Sequence, residues 1–320
     1  MLTTRLGMLG VAMAIGCGAG EITTYNETSS SRQAIVAKNG LALNGLELNG
    51  QAFNGMKFNG LKYNGLKYNT DAPPSSTGES LIGFTRVWLE DSRFHGDLPD
   101  GTHVHKRDLD EAVFQGQLAR DEGTEKFVTM RIEDINQLAN GSDVFLYKLQ
   151  AWDEPTKLWT YVCPGKHWAI PVSGAWDLSG SKMTGENLFT FACRERGAIG
   201  KCIDFGYKPW IDPDRHQACV RMVRADYCGD GQSHTVDGNT INLYDADGIQ
   251  KDTHGTETAY SWTFEADWTA SGAKCTNLAN RPGGVSAACY STLPRCSTTS
   301  TALKVFSTGV RLKNWMGIEK

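Results

Sequence analysis

Period-two alternation marks the strands of this chain. Tyr260, Trp262, Phe264, Ala266 and Trp268 alternate with Ser261, Thr263, Glu265 and Asp267, the pattern of a strand packed on one face and wet on the other. Weaker runs at Lys126–Ile132, Val144–Ala151, Leu158–Cys163, Leu188–Cys193 and Thr240–Tyr244 predict further strands. Two stretches follow a helical period instead. Asp212-Pro213 joins an N-cap to a proline at the first helical position, and Ala218-Cys219, Met222-Val223 and Asp226 recur at helical intervals until Gly229. A shorter helix is expected between Arg194 and Phe205, with Gly197 and Gly200 working against it. The fold class that follows is α+β, a predominantly antiparallel sheet with one or two short helices.

The first eighty residues are patterned differently. Arg5 precedes an apolar run from Gly7 to Gly16, the length of a signal-peptide core and far short of a membrane span. The run ends in Ala14-Ile15-Gly16-Cys17, which resembles a lipobox. It predicts a signal peptide over 1–16 and a diacylglycerol on the Cys17 sulfur. Gly18, where an inner-membrane lipoprotein commonly carries Asp, favours the outer membrane or cell surface. Residues 17–38, rich in Ser and Thr, read as a tether. Residues 39–69 then repeat Asn-Gly, an apolar residue, a variable residue and Leu, Phe or Tyr every five positions. Asn-Gly favours a tight turn, so this resembles a short pentapeptide-repeat coil, although both apolar positions are large. Its variable positions drift to Lys57, Lys62 and Lys67, a basic row able to touch anionic lipid or cell-wall polymer. Residues 70–80 are a linker, and 81–320 form the globular domain.

With 320 residues, 40% hydrophobic and 21% charged, the chain can bury a core and is not collagen, a coiled coil or a polytopic membrane protein. A net charge of -4 gives no footprint for nucleic acid. Besides Cys17 there are eight cysteines, Cys163, Cys193, Cys202, Cys219, Cys228, Cys275, Cys289 and Cys296. In an exported chain an even set predicts disulfides, so the domain is expected to be disulfide-braced by four of them. About a hundred connectivities are open. Cys163, the first of the eight and thirty residues ahead of the next, is expected to reach across the domain. No CxxC occurs, which disfavours zinc.

The stretch from His216 to Gly231 contains Ala225-Asp226-Tyr227-Cys228 and resembles the ADYC domain, a bacterial family named for those letters. Ala169-Ile170-Pro171-Val172, Phe189-Thr190-Phe191-Ala192-Cys193, Gly206-Tyr207-Lys208-Pro209-Trp210 and Leu243-Tyr244-Asp245 extend the likeness, over about 110–316. It implies an exported, cysteine-bearing domain of unknown biochemical function and supplies no catalytic residues.

Candidate chemistry gathers around that motif. His216, Asp226 and His234, with Asp230 and Asp237 nearby, make the best case for a hydrolase. The alternative for the same residues is structural: Asp226 paired with Arg221 or Arg224, and His234 bonded to backbone near a disulfide. His103-Val104-His105 with His95 could ligate a metal, but the flanking residues 99–101 and 106–108 read as an exposed loop, and no metal site is expected. Asp245-Ala246-Asp247-Gly248 with Asp252 lacks the twelve-residue calcium pattern and reads as a hairpin turn. No P-loop or dinucleotide fingerprint occurs, so no cofactor is expected. Trp152, Trp159, Trp168, Trp176 and Trp210 are assigned to the core or its rim. The resulting expectation is an exported envelope lipoprotein with a noncatalytic binding or structural role at the cell surface. Its partners are the membrane, through the anchor, and an envelope protein or cell-wall polymer. The alternative is a cell-envelope hydrolase using His216, Asp226 and His234.

Overall fold

In the computed structural model the described residues are 83–320 except 119–125, 164–167, 178, 185–187, 195–196, 252–257 and 303–304, together with short strands at 36–38, 47–48, 51–52 and 61–62. The signal peptide, Cys17, most of the tether, the rest of the repeat and the 70–80 linker lie outside them.

In chain order the strands begin with β1 (Val36–Lys38), β2 (Glu47–Leu48), β3 (Gln51–Ala52) and β4 (Leu61–Lys62). Next come β5 (Arg86–Glu90), β6 (Arg93–Asp97), β7 (His103–His105), β8 (Val113–Leu118) and β9 (Lys126–Gln137). Then follow β10 (Phe145–Asp153), β11 (Leu158–Tyr161), β12 (Trp168–Ser173), β13 (Ala175–Trp176), β14 (Lys182–Met183) and β15 (Leu188–Cys193). The last four are β16 (Thr240–Asp245), β17 (Tyr260–Thr269), β18 (Gly272–Thr276) and β19 (Leu312–Glu319). The helices are α1 (Ala198–Asp204), α2 (Pro213–Arg224) and α3 (Thr298–Thr301).

Every pairing is antiparallel, and six strands close on themselves: β10 pairs β12, β12 pairs β15, β15 pairs β4, β4 pairs β8, β8 pairs β9, and β9 returns to β10. Strand β4 comes from the Asn-Gly repeat, so Leu61 and Lys62 complete the ring between Leu188–Phe189 and Gln117–Leu118. The end of the tether is also ordered onto the domain, as β1 pairs with β16.

Two cores explain why alternation was weak in β10, β12 and β15. Tyr147, Leu149, Phe189 and Phe191 belong to one buried cluster, while Leu146, Ile170, Val172 and Ala192 belong to another with α1, α2 and the sheet β1-β16-β19-β17-β18. A wall buried on both faces reads as a continuous apolar run rather than an alternation. Helix α2 is buried from His216 to Arg224, on every side of its axis. A three-stranded sheet, β5-β6-β7, packs Val87, Phe94 and Val104 on the first core. There Gly96 is required, because a Cβ would sit 2.4 Å from the Phe84 ring.

Two expectations change, in β17 and in the turn after β16. Strand β17 is wet on one face only at its start; from Phe264 to Trp268 both faces are buried, because a register shift at Glu265 sets it against Arg281 and Tyr227, and Asp267 lies against Lys313, whose Nζ bonds the Ser300 and Ala302 carbonyls. The five named tryptophans keep their core-or-rim placement, Trp176 fully buried and Trp152, Trp159, Trp168 and Trp210 half-buried. The turn after β16 does not make a hairpin with the next strand, since β16 pairs β1 and β19 while β17 pairs β18 and β19. Asp245 organises that turn instead, accepting from the backbone N–H groups of Asp247, Ile249 and Gln250 at 2.9, 3.1 and 2.6 Å.

The four disulfides are Cys163–Cys193, Cys202–Cys219, Cys228–Cys289 and Cys275–Cys296. Cys163 therefore does not cross the domain. Its partner is thirty residues on, because β12 and β15 return the chain alongside it. In the chain-entropy account a longer closed loop restricts the unfolded chain more. Replacing Cys228 and Cys289 together, a separation of 61, should cost about 4 kcal/mol, against about 3 kcal/mol for Cys202 and Cys219, separated by 17. Denaturant titration of the two double-serine variants checks the order.

Candidate functional site

Helix α2 positions the motif. Its start follows the expectation: Asp212 accepts the Arg215 N–H at 2.9 Å and Pro213 opens the helix. Its end comes earlier than the periodicity predicts. Ala225 takes a left-handed conformation, φ 52°, and the N–H groups of Ala225 and Asp226 bond back to the carbonyls of Met222 and Arg221 at 3.0 and 2.9 Å. This closing turn ordinarily favours glycine. Asp226 thus stands outside the helix, although its spacing fits one.

Each letter of the motif has a mechanical task. Ala225 ends the helix. Asp226, buried, takes the Arg221 guanidinium at 2.5 Å and the N–H groups of Asp230 and Gly231 at 3.2 and 3.1 Å, folding the following loop back on the helix. Burial pushes its carboxyl pKa up, and Arg221 opposes that shift. Tyr227 stacks between His234 and Trp268, with ring centres 5.9 and 5.3 Å away, and its hydroxyl donates to Glu265 at 2.9 Å. Cys228 is bonded to Cys289. Gly229 lets this loop touch the β17–β18 turn: a Cβ there would lie 1.8 Å from the Ser271 carbonyl oxygen.

Behind the motif lies a buried polar network that the sequence pattern did not reveal. Arg281 and Glu265 are both fully buried. Arg281 donates to Glu265 at 2.8–3.0 Å and also to the carbonyls of Met222 and Val223 at 2.7 and 3.1 Å, covering the negative end of α2. Glu265 accepts further bonds from Tyr227 and, at 2.6 Å, from Asn314, which in turn accepts from the Trp268 indole. Glu265 occupies a polar position of an alternating strand and Arg281 a loop before proline, so local pattern marks neither.

The residues proposed for hydrolysis do separate work. His216 is fully buried in α2, and its Nε2 bonds to the Ile199 carbonyl at 3.1 Å. His234 bonds through Nδ1 to the Val285 carbonyl at 2.8 Å. Asp226 serves Arg221 and the loop. His216 and the helix end at Arg224 are eight residues apart, about 12 Å along the axis, so the fold does not gather the three around one reacting centre. Among the described residues, Cys228, Asp230 and His234 have atoms close enough to share an ion. The Cys228 sulfur is already in a disulfide, which removes the thiolate a metal would need.

The flanking residues 99–101 and 106–108 form exposed turns, as expected, and the histidines themselves lie on strands. His95 lies in β6 and His103 and His105 in β7, with residues 106–109 forming a 3-10 turn. Val104, between the two histidines of β7, is drawn onto the core.

A disulfide-braced α+β domain, with a helix-to-turn joint at its centre, is the class these features define, and its disulfides fit an exported protein. The chain belongs to the ADYC domain family, which it matches over residues 106–282, more than half its length. The match begins near the expected position and ends before β19. No curated protein and no solved structure matches the chain.

Two outcomes follow. Glu265→Ala and Arg281→Ala should each cost about 3–5 kcal/mol, since each leaves a buried charge alone; the double variant should cost clearly less than both added, in a denaturant double-mutant cycle. Burial also lowers the pKa of His216 to about 3. An unfolded imidazole titrates near 6.5, so below that pH the unfolded chain binds a proton that the folded chain refuses. Stability should therefore fall as pH drops from 6.5 towards 3, by up to about 5 kcal/mol from this residue. His216→Gln should flatten that limb of a stability–pH profile.

Proposed function

We infer that this chain is an envelope lipoprotein, held by lipid on Cys17 at the outer membrane or cell surface, whose domain has a noncatalytic binding or structural role. The observation that carries the noncatalytic reading is the separate engagement of His216, Asp226 and His234 with the Ile199 carbonyl, the Arg221–loop joint and the Val285 carbonyl. A hydrolase built on those residues would need them to converge. The disulfides support export. Among the described residues no helix is long and apolar enough to cross a membrane, and attachment through Cys17 requires none.

Binding needs a presented surface, and strands β10 and β11 supply one. Trp152 and Trp159 are paired across them, edge to face at 5.5 Å, and the Arg131 guanidinium lies 4.8 Å over Trp159. Tyr161, two residues on, shares the Trp159 face and is 36% exposed. Rings of this kind offer large apolar area at low entropic cost, which suits an envelope protein or a cell-wall polymer.

Fractionation of cells tests the anchor: Cys17→Ala should move the chain from membranes to the soluble fraction, and unchanged membrane retention would overturn it. His234→Ala should abolish no turnover on envelope substrates; a measured loss of hydrolysis would replace the binding reading with the enzymatic one.

A further inference from the structure

Disulfides differ in how readily a thiol reaches them and in what receives the sulfur that leaves. Cys163, Cys193, Cys202 and Cys219 are buried, and Cys275 is buried with a half-buried partner, Cys296. Cys228 and Cys289 are both half-buried, so among the four described bridges theirs is the one with neither half sealed in a core. It joins the ADYC turn to a short 3-10 turn at Ala288–Ser291.

The surroundings of the Cys228 sulfur are polar. The Cys289 N–H donates to it at 3.3 Å. Its Sγ, a carboxylate oxygen of Asp230 and a ring nitrogen of His234 all lie within 4.8 Å of one another. Several contacts fix His234 in place. Its Nδ1 bonds to the Val285 carbonyl at 2.8 Å, its ring stacks on Tyr227, its own N–H donates to the Arg224 carbonyl at 3.2 Å, and its carbonyl accepts from Arg281 at 2.9 Å.

A hydrogen count then assigns the ring. The Val285 carbonyl can only accept, so Nδ1 carries the hydrogen of that bond, and Nε2 of the neutral ring is left with a lone pair. Nε2 is buried with no hydrogen-bond partner among the described residues, in a side chain belonging to a residue only 6% exposed. A buried acceptor without a donor costs free energy. Protonation of Nε2 beside a sulfur anion removes that cost and stabilises the anion.

We propose that Cys228–Cys289 is a thiol-exchange site for dithiols, with Cys228 as the leaving sulfur and His234 as the group that takes the proton. The attacking S–H passes its proton to His234 Nε2 and its sulfur bonds to Cys289 Sγ. The Cys289–Cys228 bond breaks, and its electron pair stays on Cys228. The second thiol of the dithiol then attacks the first thiol's sulfur in the mixed disulfide, closes the dithiol's own disulfide and releases Cys289, which takes the second proton. Two electrons and two protons move from the dithiol to the domain, and no other oxidant enters. Asp230 is the charged side chain beside both Cys228 and His234. It favours the imidazolium and repels the thiolate, whose attractive neighbours are the imidazolium and the Cys289 N–H. The proposal concerns the rate of exchange, not the stability the bridge confers, and it is independent of the lipid anchor and of hydrolysis.

The test uses the oxidised full chain in detergent, without denaturant, mixed with dithiothreitol, quenched in acid, alkylated and mapped by peptide mass spectrometry. Thiols should appear first at Cys228 and Cys289, at least about 10-fold faster than at the other three bridges. His234→Asn keeps a donor for the Val285 carbonyl and removes Nε2. It should slow this first exchange about 10-fold, and its rate should follow the thiolate fraction of the reagent, more steeply with pH than in the wild-type chain. The order of opening in the wild-type chain needs no variant. First opening at another bridge, or simultaneous opening of all four, would overturn the proposal. So would a His234→Asn chain, folded by circular dichroism, with unchanged rate and pH profile.

Discussion

The Arg281–Glu265 pair is the constraint on which the rest of the domain depends. A helix buried on all sides ends in carbonyls that water cannot reach, and α2 ends inside the core it shares with α1 and β17. Arg281 supplies donors to two of those carbonyls, Glu265 neutralises Arg281, and Tyr227 and Asn314 complete Glu265. Buried ion pairs add little net stability over an apolar substitute, but losing one partner is costly. The network therefore acts as a register. It fixes β17, β19, the helix end and the loop at Arg281 against one another.

The ADYC turn is the covalent and conformational counterpart of that register. A helix stop, a carboxylate clamp, an aromatic stack and a disulfide fall on four successive residues, and each acts on a different neighbour. Such a joint leaves the motif's polar groups facing inward. The tryptophan pair of β10 and β11 and the histidines of the small sheet lie towards the surface instead. Trp152 of β10 and the histidines of β6 and β7 stand on strands whose other face is packed.

The ring of strands shows how the N-terminal region joins the domain. Two residues of the Asn-Gly repeat sit between β15 and β8, and three residues at the end of the tether extend the other sheet. A two-residue strand adds few bonds, yet it covers two edges that would otherwise expose unpaired backbone groups.

What the sequence by itself determined is local or compositional. The strand at Leu188–Cys193, the N-cap at Asp212 and Pro213, an even set of eight cysteines and the family of the motif could all be read without coordinates, because each depends on residues near one another in the chain. Tertiary structure alone decided the rest. Glu265 and Asp267 look solvent-facing in an alternating strand and are buried because a register shift sets Glu265 against Arg281 while Asp267 lies against Lys313 of the neighbouring strand. Cys163 pairs locally because two intervening strands turn back beside it. His216, Asp226 and His234 resemble a catalytic set until the length of a helix separates them, and His95 joins His103 and His105 because antiparallel register sets them on one face. Burial and pairing are properties of what packs against a residue, and a single strand or helix does not encode its neighbours.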